Sequence, residues 1–454
     1  MMYAHVTAPL FPWDALEDSP SIRTLRAFLA SIPDDRLLES LRRWRGHGRG
    51  DYPVHVLWGV LLLTIALRHT GIEGCLGELR RNRDLRELIG VESESKVPHK
   101  WNMSRFLAVL GSAPHRALLI DVFNAMVGRL GYVVEDLGAQ AAGDAMALNA
   151  RRGNSEAGRA QDVAEGLPEA TGGRKEYTDD DGTVTRVVEW FGFKLHLVVD
   201  VKHEVALAYE VTDTRAGDGE TLPGVLEQAR ANLPGGRVET LAFDKAADSD
   251  EVHRALHAQG VKPVVQNRSL WKQDLERPLP GHENEVTNIV HDESGTIYCY
   301  DTGSDPCVRH QMAYIGHEPR RGTLKYRCPA RHQGWSCPSD GDCNRGLGYG
   351  KTVRVKRELD LRRFPAIPRA TRQFERLYKG RTAVERVNAR LKLFWGADDG
   401  NITGSRRFHA FIGAVMVVHA AFATLLAATP RRNGPMGKLH LGPVQKALQA
   451  GMTL

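Results

Sequence analysis

Four side chains near the C-terminal end of the chain have types and a spacing that suit chemistry at a phosphate. They follow one another at steps of three, four and seven residues, as Tyr378, Arg381, Glu385 and Lys392. These steps predict one helix with all four side chains on the same face. A carboxylate between two cations and a phenol suits a divalent metal ion held beside a phosphate. The alternative is an ordinary charged helix face with i,i+4 ion pairs.

Two aspartates are candidates for further metal ligands. Two metal ions that bridge a phosphate need several carboxylates from different elements, because a single acidic cluster would repel itself. Asp144 lies in the apolar segment 141–149, and Asp244 ends the apolar run 238–244. That run predicts a buried strand. An aspartate at a strand end is otherwise a turn or cap residue.

Together these residues resemble the signature of the DDE transposases of bacterial insertion sequences, in the branch named for its Tyr-Arg-Glu-Lys pattern. This family places one catalytic aspartate in an early strand of an RNase H-like sheet and another just after a later strand. Asp144 and Asp244 match those places. The residues that follow the second aspartate, 245–249, are similar to the family's Lys-Gly-Tyr-Asp-Ser, with Ala246 and Ala247 in place of glycine and tyrosine.

The resemblance implies a role for each residue. The catalytic residues, which would hold divalent cations (Mg²⁺ or Mn²⁺), are Asp144, Asp244 and Glu385. The residues that would bind DNA phosphates are Tyr378, Arg381 and Lys392. The implied reaction is metal-dependent cleavage of DNA at insertion-sequence ends, followed by strand transfer into target DNA. The implied partner is double-stranded DNA, as terminal inverted repeats and as target, bound by a homodimer.

Two other functions stay open at this point. An RNase H-like nuclease would cut DNA but would not join a 3′-hydroxyl end to a second duplex. An inactive relic of a transposase would only bind DNA, as a zinc-containing protein without metal-dependent cutting. Assays of strand transfer and of cutting separate the three.

The segments between the two aspartates predict the elements that position them. Residues that favour strands occupy 187–199, 206–212, 238–243 and 261–265, and helices are predicted near 219–231 and 249–259. The polar, Gly-rich stretch 151–185 predicts a flexible excursion between the first two strands. The segment 192–196 resembles the Gly-Tyr/Phe-Lys-Leu-His motif of the family's second strand. Lys194 and His196 are therefore candidates for DNA binding, or else packed or solvated strand residues.

The predicted fold class is α/β, an RNase H-like mixed sheet flanked by helices. A chain of 454 residues is too long for one core, so several domains are expected. We predict an all-α N-terminal, DNA-binding domain and a β-containing insertion between the last strand and the helix of Glu385. The predicted ranges are 1–137 for the N-terminal domain, 138–268 and 370–430 for the two parts of the catalytic domain, 269–369 for the insertion and 431–454 for a C-terminal tail.

The predicted insertion contains five of the six cysteines. Disulfides are not expected in a reducing compartment, so clustered cysteines suggest a metal site or simple packing. More ligands than the four of a tetrahedral zinc site are present, namely Cys307, His310, Cys328, Cys337 and Cys343. Their spacing is not that of paired Cys-x2-Cys knuckles. A structural Zn²⁺ and a packing role therefore both remain open.

Charge and hydropathy favour a cytoplasmic protein that binds nucleic acid. The net charge is +6, and Lys and Arg are concentrated in 351–392, as expected of a surface that follows a phosphate backbone. The N-terminus lacks a basic region followed by a long apolar run, so no secretory signal is predicted. The apolar stretches 56–67 and 411–428 fit buried helices better than membrane spans. We therefore expect no membrane partner.

Overall fold

The computed structural model describes residues 20–46, 52–179, 183–272, 276–285, 287–399 and 401–428. The predicted C-terminal tail, 431–454, lies outside the described residues.

The described part before the first strand is helical, as predicted. Its α-helices are α1 (Pro20–Ala30), α2 (Asp35–Arg45), α3 (Val54–Ala66), α4 (Ile72–Arg81), α5 (Arg83–Leu88), α6 (Lys100–Leu110) and α7 (His115–Val133). Helix α3 is apolar on every side and is buried along almost its whole length. A helix of that composition is stable only inside a core.

A six-stranded mixed sheet follows. Its strands are β1 (Gln140–Asn149), β2 (Thr171–Thr178), β3 (Val184–Asp200), β4 (Ala206–Thr212), β5 (Thr240–Phe243) and β6 (Lys262–Val265). Strand β1 is antiparallel to β3 and parallel to β5, and β6 is parallel to β5. Strands β2 and β4 both pair with the other edge of β3, β2 with its first half and β4 with its second.

Helices flank this sheet, which confirms the mixed α/β class. They are α8 (Glu156–Ala164), α9 (Asp218–Asn232), α10 (Asp250–Ala258), α13 (Arg372–Lys379), α14 (Thr382–Leu393) and α15 (Ser405–Ala428). Helix α9 packs on β3 and β4, α13 on β5 and β6, and α14 on β1 and β3. Helix α15 packs against α1, α3, α6 and α7. One apolar cluster therefore runs from Ile22 through the sheet to Leu426.

The prediction of a flexible excursion at 151–185 is wrong for much of its length. Helix α8 begins there, capped by the Ser155 hydroxyl, which accepts a hydrogen bond from Gly158 N at 3.1 Å. Strand β2 follows and pairs with the long first half of β3. A Cβ at Gly173 would overlap the Trp190 ring, so glycine is required where the ring lies. Gly172 and Gly173 therefore belong to a paired strand and not to a loop.

The insertion contains two smaller sheets, as its predicted β content implies. One has the order β10-β9-β8-β7, from β7 (Arg277–Pro278), β8 (Ile289–His291), β9 (Ile297–Asp301) and β10 (Val308–Gln311). The other has the order β11-β12-β13, from β11 (Ala313–Glu318), β12 (Thr323–Arg327) and β13 (Thr352–Lys356). Short helices α11 (Pro329–Gln333) and α12 (Asp340–Cys343) lie between β12 and β13.

Helix α15 would be long and apolar enough to cross a membrane, with a mean hydropathy of 2.2 over its best window. Within the protein, 83% of that window is buried. Helices α6 and α7, which are bent by 80° at their junction, are long and apolar enough to cross a membrane only if the two are counted as one span. Core helices of soluble proteins have these properties too.

Candidate active site

The register of two parallel strands places Asp144 and Asp244 side by side. Ala142 of β1 is paired with Ala242 of β5, and each aspartate stands two residues further along its strand. Side chains at equal steps in parallel strands point to the same side, and neighbouring strands are about 4.8 Å apart. Asp244 directly follows β5 and keeps an extended backbone. One residue earlier, a Cβ at Gly143 would lie 2.6 Å from the Phe243 ring, which therefore packs over β1 on the face of the sheet opposite the two aspartates.

Helix α14 brings Glu385 to the same place. The Asn388 Nδ2 atom donates a hydrogen bond to Asp144 Oδ2 at 3.1 Å. Glu385 precedes Asn388 by three residues, so the two side chains lie on one face, one turn apart. At the other end of the helix, Lys392 Nζ donates to the Ala147 carbonyl of β1 at 2.6 Å. Two hydrogen bonds therefore hold α14 along β1.

Arg381 lies among the carboxylates. Its Nη2 donates to Glu385 Oε1 at 2.7 Å, with the arginine largely covered and the glutamate half exposed. Burial raises the pKa of Tyr378; the Arg381 charge lowers it, and the charges of Asp244 and Glu385 raise it. The Arg381 charge also lowers the pKa of Asp144. The cation is thus within electrostatic range of residues from three elements.

Asp144 is partly buried. Burial raises its pKa to about 6, although a hydrogen bond from the Ala145 backbone and the charges of Arg381 and Lys175 oppose the rise. The neighbouring Asp218 charge raises it further. Its side-chain partner, Asn388, is a neutral amide. A bound cation would offset this cost of burial, because a nearby positive charge favours the ionised carboxylate.

The donor set fits a hard divalent cation, since carboxylate oxygens are the ligands that Mg²⁺ and Mn²⁺ prefer. The carboxylates of Asp144, Asp244 and Glu385 do not form one cluster in this structure. In the described part of the chain, no three His, Cys, Asp or Glu side chains form a group that could hold a metal. Glu385 is turned to Arg381, and Asp244 accepts a hydrogen bond from the Lys245 backbone.

A comparison with known families bears on this arrangement. The sequence model described as "Transposase DDE domain" matches residues 169–420, more than half of the chain. The chain belongs to the transposase DDE domain family. The matched range includes Asp244 and Glu385 and begins after Asp144. No curated protein matches the chain.

The prediction that one helix carries Tyr378, Arg381, Glu385 and Lys392 is wrong. Tyr378 lies on α13, which ends at Lys379, and α14 begins at Thr382. Between them, Gly380 N and Arg381 N donate to carbonyls three residues back, which tightens the turn and breaks the α-helical pattern. A Cβ at Gly380 would lie 2.8 Å from Val201 Cγ1, so glycine permits close packing on the turn after β3.

Lys392 also differs from its prediction, which had the ammonium group facing DNA rather than an acid. Besides the Ala147 carbonyl, its Nζ donates to Asp398 Oδ2 at 3.0 Å. Asp398 in turn accepts from the Asn149 backbone at 2.6 Å. In this structure Lys392 therefore ties α14 to the end of β1.

Lys194 and His196 make contacts within the protein. Lys194 Nζ donates to Asp218 Oδ1 at 3.1 Å and to the Ala216 carbonyl at 2.9 Å. The His196 ring is 3% exposed, its Nε2 lies 2.9 Å from Thr212 Oγ1, and burial lowers its pKa to about 4. A ring so buried cannot contact DNA directly. His196 is therefore a packed strand residue.

Asn388 and Asp248 are important residues that sequence reasoning missed. Asp248 is fully buried beside Asp244 and accepts hydrogen bonds from Arg362 at 2.9 and 3.0 Å and from Arg369 at 3.0 Å. His253 Nε2 lies 2.9 Å from it. Burial alone would raise its pKa, but these partners lower it to about 2. Its position in the sequence could have indicated Asp248, because it lies in 245–249, the segment similar to the family's Lys-Gly-Tyr-Asp-Ser.

The candidate zinc ligands are divided. Cys328, Cys337 and Cys343 line one cavity in the insertion, together with His310. Cys307 is exposed, its Sγ donates to the Asp301 carbonyl at 3.0 Å, and it lies outside this lining.

Proposed function

We propose that this chain is a transposase of the Tyr-Arg-Glu-Lys branch, from a bacterial insertion sequence. It would cleave DNA at the ends of that element and transfer the strands into target DNA. One observation carries the proposal: Asn388 of α14 contacts Asp144 of β1, beside the strand register that aligns Asp144 with Asp244. This contact sets the helix of Glu385 next to the two aspartates, within a chain of the transposase DDE domain family.

Each residue has a defined task in the proposed reaction. Divalent ions held by Asp144, Asp244 and Glu385 would supply an activated hydroxyl nucleophile and would stabilise the leaving oxygen. Asn388 orients the Asp144 carboxylate through its amide. Arg381 neutralises Glu385 in the absence of DNA, and its planar guanidinium suits a two-pronged contact with a phosphate. Tyr378 would donate a hydrogen bond to a neighbouring phosphate.

The order of paired strands supports an RNase H-like sheet. Apart from β2, the strands lie in the order β4-β3-β1-β5-β6, with β3 antiparallel to its neighbours and β1, β5 and β6 parallel. Residues 138–268 and 370–430 would form this catalytic domain, interrupted by the insertion at 269–369. Mg²⁺ as the ion, a homodimer that pairs two ends and a cytoplasmic location complete the proposal.

An exposed basic and aromatic surface on the N-terminal helices supports DNA binding by that region. The Trp101 side chain is 54% exposed, and the Arg105 guanidinium lies 5.0 Å from its ring centroid. The His99 ring lies parallel to the Trp101 ring, with a centroid distance of 6.3 Å. Aromatic rings beside cations suit contact with bases and phosphates. The terminal inverted repeats are the proposed ligand.

The test is a strand-transfer assay with the full chain. The donor duplex carries the DNA that flanks the reading frame, the target is a supercoiled plasmid, and Mg²⁺ or Mn²⁺ is added. Glu385→Gln is compared with Glu375→Gln, because Glu375 is an exposed glutamate on α13 paired only with nearby Lys379 among its described contacts. We expect joined products from the wild type and from Glu375→Gln, and none from Glu385→Gln.

The outcomes separate the three functions. Cleavage without joined products would identify a nuclease. DNA binding without metal-dependent cleavage would identify an inactive relic. Equal activity of Glu385→Gln and wild type would show that the reaction does not use this site.

A further inference from the structure

The insertion has few apolar side chains to hold its two sheets together. Its apolar core, apart from that of the sheet, consists of Leu279, Ile289, Ile297, Met312, Leu324, Tyr326, Val355 and Phe364. Small domains with so little apolar burial commonly need disulfides or a structural metal. The insertion has no disulfide, since its five cysteines are free.

The segment 329–350, which leaves β12 and returns to β13, is mostly exposed. Its buried residues are small or polar: Pro329, Ala330, Ser339, Asn344 and Gly350. Of its larger apolar side chains, Leu347 and Tyr349 are about half exposed, and Trp335 is partly buried against His310. Apolar burial alone therefore does not fix this segment to the rest of the insertion.

Four cysteines line a cavity between this segment and the two sheets. Cys299 lies on β9, Cys328 directly follows β12, Cys337 lies in the loop before α12, and Cys343 ends α12. All four line one cavity of about 30 Å³. A space of that size accommodates a water molecule or an ion. The cavity joins one sheet, the end of the other and both halves of the crossing segment.

We propose that Cys299, Cys328, Cys337 and Cys343 bind one structural zinc ion as four thiolates. Four thiolates form a closed tetrahedral site of the kind that zinc occupies in small structural domains. The site revises the ligands expected from sequence, because Cys299 takes the place of Cys307. It lies in the insertion and does not depend on the proposed catalytic function.

Amide groups already point at two of the sulfurs. Asn344 Nδ2 donates to Cys328 Sγ at 3.5 Å, and Asn288 Nδ2 donates to Cys343 Sγ at 3.7 Å. Such hydrogen bonds stabilise thiolates and orient them toward a metal. The described residues include no group of three side chains already placed to hold a metal. Zinc binding requires the side chains to turn inward, to about 2.3 Å from a shared ion.

The Cys299 thiol is within electrostatic range of the other three cysteines. Burial raises the pKa of Cys299 to about 12, and the thiols of Cys328, Cys337 and Cys343 contribute to the rise. His310 lines the same cavity, but its ring packs on Trp335 at a centroid distance of 4.8 Å.

The first test uses the wild-type chain and needs no variant. The purified protein is dialysed, its zinc is measured by elemental mass spectrometry, and its thiols are alkylated with and without a chelator. We expect one zinc per chain. The chelator should expose the four ligand cysteines to alkylation, whereas Cys307 should react in both conditions. Absence of zinc, or no effect of the chelator, would overturn the proposal.

The second test compares single variants after loading with Co²⁺, whose charge-transfer absorption grows with the number of thiolate ligands. Cys299→Ser should lose the metal or about a quarter of this absorption, by the loss of one of four thiolates. Cys307→Ser is the matched control and should behave as wild type. His310→Ala should also behave as wild type. A loss in Cys307→Ser or His310→Ala with none in Cys299→Ser would contradict the ligand set.

Discussion

The mixed sheet and the insertion hold their functional side chains in different ways. Around the sheet, one apolar cluster extends from Ile22 to Leu426, and within it Asp144 is held by strand pairing and one neutral amide. Among its described residues, the insertion has a separate apolar cluster of eight buried residues. Its junction with the sheet is the buried carboxylate of Asp248 between two arginines. Asp144 is thus positioned by the strand that carries it, whereas Asp248 is positioned by its charged partners.

The largest effect on stability should follow from breaking that junction. Asp248→Ala would leave Arg362 and Arg369 buried without their shared partner. Removing one partner of a buried ion pair costs about 3–5 kcal/mol of unfolding free energy. Urea denaturation should show this loss. Asp250→Ala, two residues away and exposed, is the control and should change stability little. Equal effects of the two substitutions would show that the ion pairs of Asp248 do not stabilise the junction.

A gain in stability is expected at the sheet. Asp144 has a folded pKa of about 6, above its ordinary value of 3.8, so its ionised form weakens the folded state as pH rises through that range. Without metal, Asp144→Asn should therefore stabilise the chain above pH 6, by an amount on the order of 2–3 kcal/mol at most. The gain should vanish near pH 4. Thermal denaturation in a chelator at both pH values measures it, and a gain that does not depend on pH would contradict this cause.

A smaller loss is expected where α14 meets β1. Lys392→Met would remove the hydrogen bonds to Asp398 and the Ala147 carbonyl but keep the aliphatic stem. Because the side chain is about one-third exposed, solvent weakens these bonds, and we expect a loss of about 1 kcal/mol. Denaturation midpoints should fall while the salt dependence of DNA binding stays unchanged. A change only in DNA binding would restore Lys392 as a phosphate contact.

The smallest effect on stability, with a clear effect on DNA binding, should follow Arg381→Ala. The i,i+4 pair with Glu385 is worth about 0.3–0.5 kcal/mol. Loss of a phosphate contact should weaken DNA binding and lower the slope of log affinity against log salt by about 1. Lys379→Ala removes an exposed i,i+4 partner of Glu375 and serves as the control. A slope that falls equally in both variants would mean that the effect is only one of net charge.

Sequence predicts best where a local pattern and long-range packing agree. The strand at 206–212 has the predicted bounds, and those at 238–243 and 261–265 differ by one or two residues at one end. The failures depend on partners far along the chain. Gly173 belongs to a strand because Trp190 lies opposite. The break between α13 and α14 at Gly380 accompanies close packing on Val201. Asn388 and Asp144, which form a hydrogen bond, are 244 residues apart in the chain.

The cysteines show the same limit. Sequence spacing grouped Cys307 with the possible zinc ligands, because it stands near His310 in the chain. The pairing of β9 and β10 sets Cys299 opposite His310, while Cys307 stays exposed at the start of the hairpin's second strand. Proximity in sequence and proximity across a strand pair thus select different residues.

The most direct test of the central claim is a crystal structure of the chain soaked in Mn²⁺, with anomalous diffraction recorded at the manganese edge. The account predicts a manganese peak within ligand distance of Asp144 and Asp244, with Glu385 released from Arg381 and turned to the ion. A chain that binds Mn²⁺ elsewhere, or one in which Glu385 stays on Arg381 while the ion is bound by other residues, would contradict the claim that these three carboxylates form one metal site.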